Sequence, residues 1–197
     1  MWQFLREYLR TPDTIGAIAP SGRHLAASMT ASIDFDKVRC IVEYGAGTGV
    51  FTRDVIARKK RDTIYIVIEQ NGRFYEMLRK QFHGMPGVVL IHGDAGNVCG
   101  LLREQGFQYA DHIISGLPFT SLPRQVSHRI LTQTQKAIGT EGKFTTFQYT
   151  LLRKTFLAHY FNIQGIVRVW RNLPPAYVLH MKPKRRNARQ ISADSAL

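Results

Sequence analysis

The chain has 197 residues, 44% hydrophobic and 21% charged, which suits one globular domain with a sizeable core. Lys and Arg number 27 against 14 Asp and Glu, a formal charge of +13, and such a surface favours polyanions: nucleic acid, anionic lipid headgroups or acidic ligands. No apolar run approaches the roughly 20 residues that span a bilayer. Cys40 and Cys99 form no metal-type pair, which argues against a zinc module or a disulfide-stapled secreted scaffold, though a single disulfide stays open.

The N-terminal stretch MWQFLREYLR is too polar for the apolar middle of a secretory signal. Its spacing predicts a short helix ending at Thr11-Pro12. On a wheel of 100° per residue, Trp2, Phe4, Leu5, Tyr8 and Leu9 share one face, opposite Gln3, Arg6, Glu7 and Arg10. A second helical piece, HLAASMTASI, follows the Pro20-Ser21-Gly22 turn. Residues 1–37 are therefore expected to form a helical segment, a lid or a membrane-facing element.

From 38 to 182 strands and helices alternate. CIVEY reads as a buried strand, VFTRDVIARKK as a helix, TIYIVIE as a strand, and GRFYEMLRKQF as a helix opened by Asn71 as N-cap. VVLIHG is a strand, AGNVCGLLREQ a weaker helix and HIIS a strand. PRQVSHRILTQTQKAI is a helix with Pro123 near its first turn. KFTTFQY is a strand, LLRKTFLAHYF a helix, and GIVRVWR and YVLHM are strands joined across NLPPA. This alternation predicts an α/β fold: a doubly wound, mostly parallel seven-stranded sheet with an antiparallel edge strand from the terminal hairpin. The tail, 183–197, is basic and polar and is expected to be disordered.

Three features gather at predicted strand ends. Gly45, Gly47 and Gly49 follow the first strand and open a helix, where glycines let the backbone turn tightly and approach a ligand. Glu69 ends the second strand, where a carboxylate can accept both hydroxyls of a ribose. Asp94 follows the third, where it can accept from the exocyclic amine of adenine. Either acid alone reads as a helix cap or a solvated turn. Ligands of open α/β sheets bind at this carboxyl edge.

Together, the glycine turn and these acids resemble class I S-adenosyl-L-methionine (SAM) dependent methyltransferases. The turn begins with an acid, Glu43, in an E-x-G-x-G-x-G form closer to that family than to the dinucleotide fingerprint. The resemblance implies SAM as cofactor and a Rossmann-like methyltransferase fold. It implies cofactor contacts from Glu43 and the turn Gly45, Ala46, Gly47, Thr48 and Gly49. Others are implied from Glu69 and Gln70, from Asp94 and Ala95, and from Ser115.

The loop after the fourth strand reads SGLPF, 115–119. Amino-methyltransferases acting on adenine carry a pattern such as N-L-P-Y there. The Asn accepts an amine hydrogen and the ring stacks on the base. This chain keeps Leu117, Pro118 and Phe119 but has Gly116 in place of Asn, so the polar handle for adenine is missing. An aliphatic amine has no conjugated lone pair. It needs only to be neutral and in line with the methyl group.

The segments TPDTIGAIAPSGRHLA, VEYGAGTGVFT, IHGDA, ISGLPF, FTTFQYT and RNLPPAYV fall in the same order in bacterial phospholipid N-methyltransferases, over about residues 5–181. That resemblance implies stepwise methylation of phosphatidylethanolamine toward phosphatidylcholine, in the cytoplasm and at the inner face of the membrane. It assigns Ser115, Gly116, Leu117, Pro118 and Phe119 to the catalytic loop and Tyr8, Phe119 and Tyr149 to the substrate. One departure is FQYTLLRKT, where the family has a more Pro-rich segment. Methylation of adenine in rRNA, and a SAM- or lipid-binding module without turnover, are the competing readings. The seven His show no metal-ligand spacing, and no metal is implied.

Overall fold

The computed structural model describes residues 20–184. The predicted first helix, with Tyr8, and residues 185–197 lie outside them. The elements are α1 (Pro20–Thr30), β1 (Cys40–Tyr44), α2 (Val50–Arg58), β2 (Ile64–Glu69), α3 (Gly72–Phe82), β3 (Val88–His92), a 3-10 turn (Ala95–Asn97) running into α4 (Val98–Glu104), and β4 (Ala110–Ser115). Then follow α5 (Arg124–Ala137), β5 (Ile138–Gln148), α6 (Lys154–Tyr160), β6 (Phe161–Val169) and β7 (Ala176–Pro183). Among the described residues, no helix is long and apolar enough to cross a membrane.

The seven strands form one sheet in the order β3-β2-β1-β4-β5-β7-β6. β1 pairs in parallel with both β2 and β4, and β4 with β5. β7 is antiparallel to β5 and to the outermost strand β6, so the terminal hairpin makes the antiparallel edge. All five residues of β1 are buried, as a central strand covered on both faces requires. On one face, Leu25, Ala26 and Met29 of α1 pack with Phe51 and Val55 of α2 and Leu78 and Phe82 of α3. On the other, Val98 and Leu102 of α4 pack with Ile130 and Leu131 of α5 and Leu157 of α6. α1, expected within the N-terminal segment, is thus part of the helical layer. Phe74, Leu78 and Phe82, four residues apart, are the buried stripe of α3. Asn71 caps that helix as predicted, its side chain accepting from the amides of Arg73 and Phe74.

The chain winds outward from β1 to β3, then crosses back to β4. The gap between the carboxyl ends of β1 and β4 is therefore the topological switch point where such sheets bind ligands. The register sets Tyr44 beside Ser115, bringing the glycine turn against the SGLPF loop. Away from that edge, His112 Nε2 lies 3.0 Å from Thr145 Oγ1, and His180 Nδ1 lies 3.0 Å from Ser32 Oγ. Lys143 donates to the Ser32 carbonyl at 2.8 Å. This polar network joins the segment after α1 to the middle of the sheet.

Candidate functional site

Gly45, Gly47 and Gly49 all have positive φ, at 63°, 56° and 78°. This is left-handed backbone that other residues adopt only with strain. The turn is stitched to its neighbours: Gly45 N donates to the Ile68 carbonyl at 2.9 Å and Gly49 N to the Ala46 carbonyl at 2.9 Å. The Glu69 carboxylate spans the crevice. Its Oε2 accepts from Gly47 N at 2.9 Å and its Oε1 from Asn71 N at 2.8 Å. Glycine turn, second-strand acid and capped helix start are one hydrogen-bonded unit.

Glu43 lies beneath this unit, fully buried. Its Oε2 accepts from Thr52 Oγ1 at 2.7 Å and from the Tyr65 hydroxyl, tying β1 to α2 and β2. Its Oε1 has no hydrogen-bond partner among the described residues. Burial pushes this carboxyl up to about 7; the Tyr65 and Thr52 hydrogen bonds oppose the shift and the nearby Glu69 charge adds to it. Thr52 and Tyr65 escape a sequence reading because each serves the site only through Glu43.

Asp94 caps the 3-10 turn, Oδ1 accepting from Gly96 N at 2.7 Å, and pairs with Arg129 of α5 at 2.6 Å through Oδ2. The cap is local and visible in the sequence; the ion pair joins residues far apart in the chain and is not. Both oxygens have partners, and each keeps a second lone pair toward solvent or a ligand amine. Ala95 is buried at the start of the turn and Ala46 in the glycine turn, while the Gln70 side chain is exposed. The Thr48 carbonyl accepts from Arg53 Nη2 at 2.9 Å.

The SGLPF loop leans directly on the glycine turn. Gly116 N donates to the Tyr44 carbonyl at 2.8 Å. A Cβ on Gly116 would stand 2.5 Å from the Gly45 carbonyl oxygen, closer than real Cβ atoms approach. A Cβ on Gly45 would stand 2.7 Å from Leu117 Cδ2. Ser115 is fully buried, its carbonyl accepting from Thr146 Oγ1 at 3.1 Å and its Oγ from Leu117 N at 3.2 Å. Pro118 is half-buried, and its carbonyl accepts from the amides of Ser121 and Leu122. Gln148, at the end of β5, holds the far side of the loop: its Oε1 accepts from Thr120 N at 3.2 Å. Its Nε2 is buried with no partner among the described residues.

Phe119 departs from expectation. Its ring is fully buried and meets Phe144 edge-on, with centroids 6.3 Å apart, on the α5–α6 side of the sheet. The ring packs in the core here, whereas the resemblance set Phe119 toward the substrate. The backbone explains why: the Phe119 amide turns back to the Leu117 carbonyl and its carbonyl accepts from Arg153 at 3.1 Å. Tyr149 is half-buried, edge-on to Phe147 on the opposite face, at 5.5 Å. The structure therefore gathers the glycine turn, Glu43, Glu69, Asp94 and Ser115–Pro118 at one edge. Tyr8 lies outside the described residues.

This edge fits a bound SAM. In a strongly basic chain, three carboxylates collect at the ends of β1, β2 and β3. The turn between them has no side chains at Gly45, Gly47 and Gly49, and one buried Glu43 oxygen lacks a partner among the described residues. Glu69 has the donor-accepting groups a ribose diol requires, and the glycine turn gives the close backbone approach.

No family model matches the chain. A curated relative, the ornithine lipid N-methyltransferase of Singulisphaera acidiphila, is 30% identical over 176 residues, covering 88% of this chain and 91% of that protein. Among solved structures, the N-methyltransferase NodS of Bradyrhizobium japonicum WM9, in complex with S-adenosyl-L-homocysteine (SAH), superposes with a TM-score of 0.71 at 13% identity, over 93% of this chain and 98% of that one. The 1,6-didemethyltoxoflavin-N1-methyltransferase of Burkholderia thailandensis superposes with a TM-score of 0.67 at 13% identity, over 93% and 86%.

Proposed function

Since the chain belongs to the family of the ornithine lipid N-methyltransferase, SAM-dependent enzymes of class I fold, we propose that it methylates the primary aliphatic amine of a lipid headgroup. The observation that carries this reading is the contact of Gly116 with the Gly45 carbonyl. The loop has no room for the Asn that would hold a planar, conjugated amine. Ornithine lipid, named for the relative, and phosphatidylethanolamine, implied by the sequence resemblance, both carry an unhindered primary amine. Phosphatidylethanolamine is the acceptor proposed here, and ornithine lipid is tested beside it.

When bound, SAM supplies a methyl carbon made electrophilic by its sulfonium. The amine enters as the free base, its proton left in water. The amine lone pair would take that methyl group as the C–S bond breaks, with SAH as the leaving group, and the product ammonium would release a proton to solvent. Such a displacement asks the protein for position more than for acid–base groups. Glu69 and the glycine turn hold the cofactor end. Ser115 and Gly116, bonded to Thr146 and Tyr44, and Thr120, bonded to Gln148, hold the acceptor loop rigidly against it.

The test is methyl-labelled SAM with vesicles of ornithine lipid, vesicles containing phosphatidylethanolamine, and rRNA. Label in a lipid phase is expected. Label in RNA alone would overturn the reading, and label in ornithine lipid alone would overturn phosphatidylethanolamine as the acceptor.

A further inference from the structure

The segment joining β6 and β7 presents an apolar tip to solvent. Trp170 is 67% exposed and Leu173 84% exposed. The strand residues flanking the tip, Val169 and Ala176, are buried, and the chain passes from core to solvent at Trp170 on one side and, through the half-buried Pro175, at Pro174 on the other. The tip has a defined shape. Asn172 is buried and its Nδ2 donates to the Pro174 carbonyl at 2.7 Å, and the Arg168 guanidinium lies 3.5 Å from the centroid of the Trp170 ring. Two successive prolines, Pro174 and Pro175, further restrict the backbone. An outward Trp and Leu on a stiff turn cost solubility and contribute nothing to the core.

The register places this tip at the same edge as the candidate site. Tyr177 of β7 pairs with Gln148 of β5, the residue that holds the acceptor loop. β7 and β6 lie two and three strands from β4, which at the usual strand spacing is about 10–15 Å. Leu152, in the segment following β5, is 86% exposed. The surrounding chain is of one sign: no Asp or Glu occurs between Glu141 and Asp194, while Arg153, Lys154, Arg168 and Arg171 do. An indole beside arginines suits the headgroup region of an anionic bilayer.

We infer that the β6–β7 tip, Trp170 and Leu173 flanked by Arg168 and Arg171, docks on the surface of an anionic lipid bilayer and sets the acceptor loop over the headgroups. This rests on the amino-lipid reading of the site. It gives the NLPP segment, which by letters alone imitates an acceptor motif, a role at the membrane instead of in the chemistry.

The chain contains two Trp, Trp2 and Trp170, so in Trp2→Phe the tip is the sole indole emitter. With vesicles of phosphatidylcholine and phosphatidylglycerol mixed equally, its emission is expected to move to shorter wavelength and to be quenched by brominated acyl chains. Both effects should weaken with salt. Trp170→Ser with Leu173→Ser should raise the apparent dissociation constant for these vesicles in co-sedimentation by about tenfold, with SAH affinity unchanged. Protein that sediments with vesicles while Trp170 emission stays constant overturns the docking surface, as does failure to sediment at all. Methyl transfer to detergent-dispersed lipid is measured alongside. Transfer without a Trp170 response leaves the amino-lipid reading standing and removes this one; a Trp170 response without transfer does the reverse.

Discussion

At the scale of single residues, Gly116 and Phe119 exchange the importance their letters suggest. Gly116 looks like the loss of a functional Asn; in the structure its missing side chain is what lets two loops touch. Gly116→Ala should destabilise the fold by about 1–3 kcal/mol, as overpacking does, and weaken SAM binding because the Gly45 carbonyl must move. Chemical denaturation and calorimetric titration check both. Phe119 looks like a ring for the substrate; in the structure it is core. Phe119→Ala should cost about 3–5 kcal/mol of stability with little change in KM for the lipid amine. An unchanged denaturation midpoint with a raised KM would return the ring to the crevice. Which way a residue points just past a strand end depends on the loop's own hydrogen bonds, here to the Leu117 carbonyl and from Arg153, and no periodicity in the sequence reports those.

At the scale of elements, the β1 turn, the end of β2 and the start of α3 behave as one joint, held by the two bonds of Glu69. Glu69→Ala removes the carboxylate that accepts from two backbone amides and that, on the proposed reading, holds the SAM ribose. It should weaken SAM by about 2 kcal/mol, roughly 30-fold. Gly47→Val should be more severe, since a β-branched residue cannot hold φ near 56° without strain. Unchanged calorimetric affinity in both folded variants would dissociate this joint from cofactor binding. The joint was legible from sequence because each part is local: glycines after an apolar strand, an acid at a strand end, an Asn before a helical stripe.

At the scale of the whole molecule, two buried groups pull stability in opposite directions with pH. Burial, with the Lys143 and His180 charges adding, lowers His112 from 6.5 to about 3. The unfolded chain therefore takes up a proton that the folded one refuses, and stability falls as pH drops below 6.5. Glu43 rises from 4.5 to about 7, so the folded chain keeps a proton that the unfolded one loses, and stability falls as pH rises from 4.5 through 7. Between pH 7 and 5 each amounts to about 2 kcal/mol, of opposite sign, so the two largely offset each other, while His180, also lowered by burial, adds to the loss on acidification. Glu43→Gln should expose the His112 slope, losing stability on acidification. His112→Gln should expose the Glu43 slope, gaining it. Denaturation midpoints across this range decide; parallel profiles for all three proteins would refute the assignment.

The order of strands and helices, the doubly wound parallel sheet and the cofactor edge follow from the sequence alone. Alternating apolar periods and glycines after strands are short-range patterns, and right-handed crossovers leave few ways to assemble them. The composition likewise determined the basic surface. Tertiary structure decided what depends on pairing across the sheet or between distant helices. It paired Asp94 with Arg129, set Glu43 under Tyr65, gave Gln148 the acceptor loop and turned Phe119 inward. It also carried the β6–β7 tip to the edge where the site lies. The outcomes borne by strands depend on register between segments far apart in the chain, where a one-residue slip would reverse Glu43 and Tyr65; the Asp94–Arg129 pair depends on how α5 packs on the 3-10 turn, and Phe119 on its loop's hydrogen bonds.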